Sequence, residues 1–100
     1  MKTEPGASGP EIPLEKLLSG LGSTVRWAVL RELAKGEPLP VVELASRLRL
    51  SQSAMSKQMG VLRWAGLVVR RYGSYALPRG VRSEDGATLD FGHVVLRVRR

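Results

Sequence analysis

Apolar residues recur at helical spacing four times along this chain, and then the period changes. Leu14, Leu17, Leu18 and Leu21 stand at i, i+3, i+4 and i+7. Val25, Ala28, Val29 and Leu33, widened by Leu30, form a second stripe, and Val41, Leu44, Ala45 and Leu48 a third. Met55, Met59 and Leu62 form the fourth. Each stripe gives a helix one buried face. Beyond Gly66, Leu67 to Arg71 is short and β-like, Tyr72-Gly73-Ser74 can turn, and Tyr75 to Leu77 can return as a second strand. Helix, helix, helix, turn, helix and hairpin leave few ways to fold: an α+β domain, mainly α, of the winged helix–turn–helix type.

Punctuation residues set the boundaries. Pro13 suits the first turn of a helix, and Gly20 with Gly22 ends or bends that segment. Ser23 or Thr24 can cap the second helix, which runs to about Lys35, with Gly36 just past its end and Pro38 preventing continuation. The third helix spans about Pro40 to Leu48, Arg49 and Leu50 make a short turn, and Ser51 caps a fourth helix running to about Ala65. Pro78 limits the returning strand, and the polar, Gly-containing residues 78–88 read as a loop. Leu89 to Val98 is apolar and β-branched, an additional C-terminal strand or a second hairpin about Asp90-Phe91-Gly92. Residues 1–11, with two Pro and two Gly, read as a flexible tail, so that residues 12–100 form one domain.

Charge is distributed unevenly. Between Ser46 and Ser83 there are eight basic residues and no acidic one: Arg47, Arg49, Lys57, Arg63, Arg70, Arg71, Arg79 and Arg82. Residues 1–45 carry five Lys or Arg against six Glu, and residues 84–100 carry three basic against three acidic, so this stretch supplies the whole excess behind the net charge of +7. A single-sign field that concentrated points to a polyanionic partner. Five aromatics are too few for a single-strand stacking platform, which favours double-stranded DNA.

Other classes are excluded or disfavoured by what is missing. With no cysteine there are no disulfides or thiolate metal sites. His93, the single histidine, has Asp90, Glu84 and Asp85 near it in sequence at no recognised metal spacing and reads as a structural strand residue, so no metal or cofactor is expected. No P-loop or GxGxxG is present and the lone histidine has no readable catalytic partner, so the chain does not read as an enzyme. The first residues have no apolar run and no segment approaches 18 consecutive apolar residues, so a soluble cytoplasmic protein without a membrane partner is expected.

The fourth helix carries the interface residues. With Met55, Met59 and Leu62 inward, Ser53, Ser56, Lys57, Gly60 and Arg63 face outward, and Gln52 sits at the exposed start. That face is small, polar or basic and can enter a major groove. Gln pairs with adenine, Ser reaches a base edge or phosphate, and Lys reaches guanine or phosphate. Ser51 caps a helix N-terminus able to approach a phosphate. Arg70 and Arg71 lie on the hairpin, placed for a phosphate or minor-groove contact. Arg47 and Arg49 flank the turn, as phosphate clamps or as solvated surface. Tyr72 and Tyr75 are expected to pack across strands, and Trp27 and Trp64 to anchor the core or an interface.

The run Leu50-Ser51-Gln52-Ser53-Ala54-Met55-Ser56-Lys57-Gln58-Met59, followed by Val61-Leu62-Arg63-Trp64-Ala65-Gly66-Leu67-Val68, resembles the ArsR family of bacterial repressors. The likeness extends back through Glu43-Leu44-Ala45 and Val29-Leu30-Arg31-Glu32-Leu33-Ala34 to Leu21-Gly22-Ser23-Thr24-Val25-Arg26, where the family usually shows Leu-Ala-Asp-Pro-Thr-Arg. The resemblance implies that Gln52, Ser53, Ser56 and Lys57 read bases and that the protein is a homodimeric repressor on an inverted repeat. Family members commonly dimerise through their first and last helices. Here no final helix is readable, so the first helix would supply part of the seam and the Leu89–Val98 strand would replace or cover the rest. The effector is not readable. The competing expectation is a winged-helix module for protein interaction or sequence-blind duplex binding.

Overall fold

The computed structural model describes residues 12–98; the tail assigned to residues 1–11 lies outside the described residues. The elements are α1 (Leu14–Leu21), α2 (Thr24–Leu33), β1 (Leu39–Pro40), α3 (Val41–Leu48), α4 (Gln52–Trp64), β2 (Val69–Arg71), β3 (Ser74–Ala76), β4 (Thr88–Asp90) and β5 (Val95–Arg97). The four helices, the hairpin and a further strand pair follow the order that the apolar periodicity lays out.

Side chains start the second and fourth helices. Ser23 Oγ accepts from Val25 N at 3.2 Å and Arg26 N at 3.4 Å, and Ser51 Oγ accepts from Ala54 N at 3.1 Å. Each satisfies amide groups that the first helical turn leaves without intrahelical acceptors. Arg49, in the left-handed conformation, closes α3: its N–H donates to Ser46 O at 3.3 Å while Leu50 N–H donates to Ala45 O at 2.9 Å. That compact closure turns the chain between α3 and α4.

One core joins all the helices. Leu17 of α1, Val29, Leu30 and Leu33 of α2, Leu44 and Ala45 of α3, and Met55, Met59 and Leu62 of α4 are all buried in it. Gly20 lies within α1, and Gly22 caps the end of the helix. A Cβ on Gly20 would clash with Leu67 Cδ1, so the absence of a side chain lets α1 pack directly on the segment after α4.

Three strands form the wing sheet in the order β1-β3-β2, all antiparallel. Arg71 pairs with Ser74, leaving a two-residue turn, Tyr72-Gly73, at the tip. β1 was not legible in the sequence: two residues long, Leu39 opposite Tyr75 and Pro40 opposite Ser74, it ties the hairpin back to the start of α3.

Residues 78–88 are not the plain polar loop their composition suggests. Val81 is buried with Leu89 and Phe91, Arg82 bridges to Leu89, and Asp90 N donates to Val81 O at 2.8 Å. Ser83 Oγ donates to Asp85 Oδ1 at 2.9 Å and accepts from Thr88 N at 3.0 Å, so the turn satisfies its own polar groups. β4 and β5 then form the second hairpin, with Leu89 opposite Leu96. His93 sits in its exposed turn, not in a strand, because Phe91 N donates to Val94 O and the chain reverses between them. No helix follows Trp64 among the described residues. None of the described helices is long and apolar enough to cross a membrane.

Candidate nucleic-acid interface

Helix α4 separates its faces as its periodicity requires. Met55, Met59 and Leu62 are fully buried, whereas Gln52, Ser53, Ser56, Lys57, Gly60 and Arg63 are exposed. A Cβ built on Gly60 would meet nothing within 4 Å, so this face offers no obstruction to a surface brought against it. Ser51 is exposed too, with its oxygen committed to the cap and its hydroxyl hydrogen still able to donate. Arg70 and Arg71 are exposed on β2.

The eight cations of the basic stretch divide by partner. Arg47 turns back: its Nε donates to Glu43 Oε2 at 2.8 Å and its Nη1 to Glu32 Oε1 at 3.2 Å. The bond to Glu43 and then that to Glu32 hold its guanidinium above its ordinary pKa. Of the two arginines flanking the turn, Arg47 is therefore an internal pairing residue. Arg82 donates through Nε to Ala34 O at the end of α2 and through Nη1 to Glu84 O at 3.3 Å. The Arg70 guanidinium lies 5.6 Å from the Tyr75 ring centroid. The side chains of Arg49, Lys57, Arg63, Arg71 and Arg79 have no partner among the described residues, and all five are exposed.

Glu32 anchors this sorting. Partial burial opposes its charge, but hydrogen bonds and charge attraction from Lys35 and Arg47 prevail and hold its carboxyl below the ordinary range. Lys35 Nζ approaches it at 3.1 Å.

Two residues that sequence reasoning passed over hold α4 in place. Arg26 Nη1 donates to Gln58 Oε1 at 2.9 Å, and its Nε donates to Gly20 O at 2.8 Å. One guanidinium thus links the end of α1 to the middle of α4 through α2. Arg26 was visible at the end of the Leu21–Arg26 run, but its partner lies 32 residues away.

The aromatic expectations hold in part. Tyr75 is buried and Trp27 packs against the core. Trp64 is 63% exposed: the last turn of α4 carries it away from the core, and Lys16 Nζ stands 4.9 Å from its ring centroid. Tyr72 does not pack across strands, because its place in the turn leaves it fully exposed. Among the described residues no group of three or more His, Cys, Asp or Glu could hold a metal ion.

A helix–turn–helix whose second helix bears an open, carboxylate-free outer face, followed by a hairpin tied to the same unit, defines a winged helix–turn–helix protein. The family described as a helix–turn–helix domain matches residues 21–71. Over 72 residues the chain is 39% identical to the HTH-type transcriptional regulator NmtR of Mycobacterium tuberculosis (strain ATCC 25618 / H37Rv), a match covering 64% of this chain and 59% of that protein. The solved structure of HlyU from Vibrio cholerae N16961 is similar with a TM-score of 0.57 at 35% identity, covering 74% of this chain and 80% of that one. The chain belongs to the ArsR-type helix–turn–helix family.

Proposed function

We propose that this protein is a sequence-specific DNA-binding transcriptional regulator, acting as a homodimeric repressor on an inverted repeat. One observation carries the reading: the exposed face of α4 joins hydrogen-bonding side chains at its start to unpaired cations along its length, with no carboxylate between them. Ser51, Gln52, Ser53, Ser56 and Lys57 stand at the end of the helix that a major groove admits first. Lys57, Arg63, Arg70 and Arg71 supply charge for phosphates, and family membership supports the assignment.

The dimer has a surface to form on. Leu17 is spent in the core, but Leu14 and Leu18 on α1 are 43% and 59% exposed. Two α4 helices on one face of a duplex would span half-sites about 34–36 Å apart. Such a dimer occludes a promoter when its site overlaps the polymerase site. In this reading α1 supplies part of the seam, and the C-terminal hairpin, which follows the wing in the chain, replaces or covers the rest.

Selection from a random duplex library near physiological salt tests both parts. The expected result is an enriched inverted repeat whose half-site loses preference at one base in Gln52→Ala, by about 1–3 kcal/mol. Salt-sensitive binding without an enriched sequence would instead support the sequence-blind module.

A further inference from the structure

A cleft of about 620 Å³ lies between the outer face of α2 and the chain that follows the wing. Small-molecule sites run from about 300 to 1,000 Å³, so its size is that of a ligand site. Ala28, Arg31, Glu32 and Lys35 supply one wall, from α2 and the turn after it. Arg82, Asp85, Gly86 and Val98 supply the other. No described residue of α4, β2 or β3 lines it. Gly86, at φ 74°, brings the second wall against the end of α2: a Cβ there would lie 2.7 Å from Ala34 O and 2.8 Å from Arg82 Nη2.

The charged groups in the cleft are unevenly used. Its three cations outnumber its two carboxylates by one. Both carboxylates are engaged: Glu32 accepts from Lys35 and Arg47, and Asp85 Oδ1 accepts from Ser83 Oγ and the amide of Ala87. Arg82 donates through Nε and Nη1 to two carbonyls, but its Nη2 has no acceptor among the described residues.

Arg31 has no side-chain partner at all among the described residues. The negative end of α2 favours a cation nearby, and Arg82 answers that need by reaching the Ala34 carbonyl. Arg31 makes no such bond, and it stands four residues before Lys35, a spacing at which like charges repel. The fold thus leaves a whole guanidinium and one face of a second without acceptors beside the same cleft. The remaining lining is apolar, from Ala28, Ala34 and Val98.

We propose that this cleft binds a small organic carboxylate. Arg31 pairs with the carboxylate, Nη2 of Arg82 adds a donor, and Ala28, Ala34 and Val98 receive the apolar body. A planar guanidinium matches the two oxygens of a carboxylate, and a single negative charge matches the excess of one. The proposal stands apart from the DNA-binding reading, because none of these residues belongs to that interface.

The test is a titration of the isotope-labelled full chain with benzoate, and with benzamide as its neutral counterpart, followed by amide NMR shifts. Benzoate should give saturable shifts centred on residues 28–35 and 82–87, with a dissociation constant of about 1 mM. Benzamide should bind at least about tenfold more weakly. Arg31→Ala should weaken benzoate about tenfold while its melting temperature stays within about 2 °C of wild type, and Arg31→Lys should recover part of the loss. Absence of saturable shifts overturns the proposal, as does equal binding of benzamide or an unchanged affinity in Arg31→Ala. Shifts centred instead on α4 and the wing also overturn it, since benzoate would then be standing in for a phosphate.

Discussion

Arg82 and Arg63 belong to the same run of positive charge, yet the fold uses them in opposite ways. Arg82, after the wing, points inward. Its guanidinium binds the carbonyl of Ala34 where α2 ends and the carbonyl of Glu84 in the following turn. A cation there stabilises the negative end of the helix and fastens the C-terminal hairpin to the helical core. Arg63, on α4, has no side-chain partner among the described residues and faces solvent beside Gly60 and Lys57. Arg47 sides with Arg82, held by Glu43 and Glu32. Arg49, Lys57, Arg71 and Arg79 side with Arg63. A count of basic residues therefore overstates the field available to a polyanion, and its useful part lies on α4, the turn before it and the wing.

Matched substitutions can break this division. The largest effect belongs to Arg82→Ala, which leaves the Ala34 carbonyl without its charged donor and should lower unfolding stability by about 1.5–3 kcal/mol. Thermal and urea denaturation would show it, while the salt slope of DNA binding stays as in the wild type. The next belongs to Arg63→Ala, expected to leave stability within about 0.5 kcal/mol. Binding measured across a salt series should show the slope reduced by about 1, uniformly for all sequences. If Arg82→Ala changed the slope and Arg63→Ala did not, the sorting of cations would be wrong.

The smallest effect concerns the carboxylate that holds Arg47 back. The folded-state pKa of Glu32 is depressed, so its contribution is fully present above the ordinary glutamate pKa. It is lost as pH falls through the lower folded value. With Lys35 well exposed and Glu32 at 19% side-chain exposure, the contribution is on the order of 0.5 kcal/mol. Wild type should exceed Glu32→Gln in melting temperature at pH 7, and the gap should close towards pH 3.

The helices were legible because each carries its own signal. Ser51 accepts from the amide of Ala54, as its place before Gln52 implies, and the inward spacing of Met55, Met59 and Leu62 places the exposed side chains opposite without reference to the rest of the chain. The β character of Leu89 to Val98 was legible locally too, and the pairing of β4 with β5 decides for a second hairpin over a single strand. β1 was not legible, because a two-residue strand exists only through its pairing with β3. The burial of Val81 and the exposure of Trp64 escaped a local reading too, because each depends on what distant segments place against it.

What the sequence determined by itself is the succession of elements, the outer face of α4 and the segregation of charge. All of these follow from spacing within a few residues, where backbone geometry leaves little freedom. Tertiary structure alone decided which cations remain free, that Arg26 joins α1 to Gln58, and that Tyr72 stands bare at the wing tip while Tyr75, three residues on, is buried. The physical reason is that a charge or a ring is satisfied by whatever group comes within a few ångströms of it. Arg47 meets Glu43 within its own helix, but Gly20 and Gln58 for Arg26, Glu32 for Arg47 and Ala34 for Arg82 lie 6, 32, 15 and 48 residues away, and only the packed core brings them into reach.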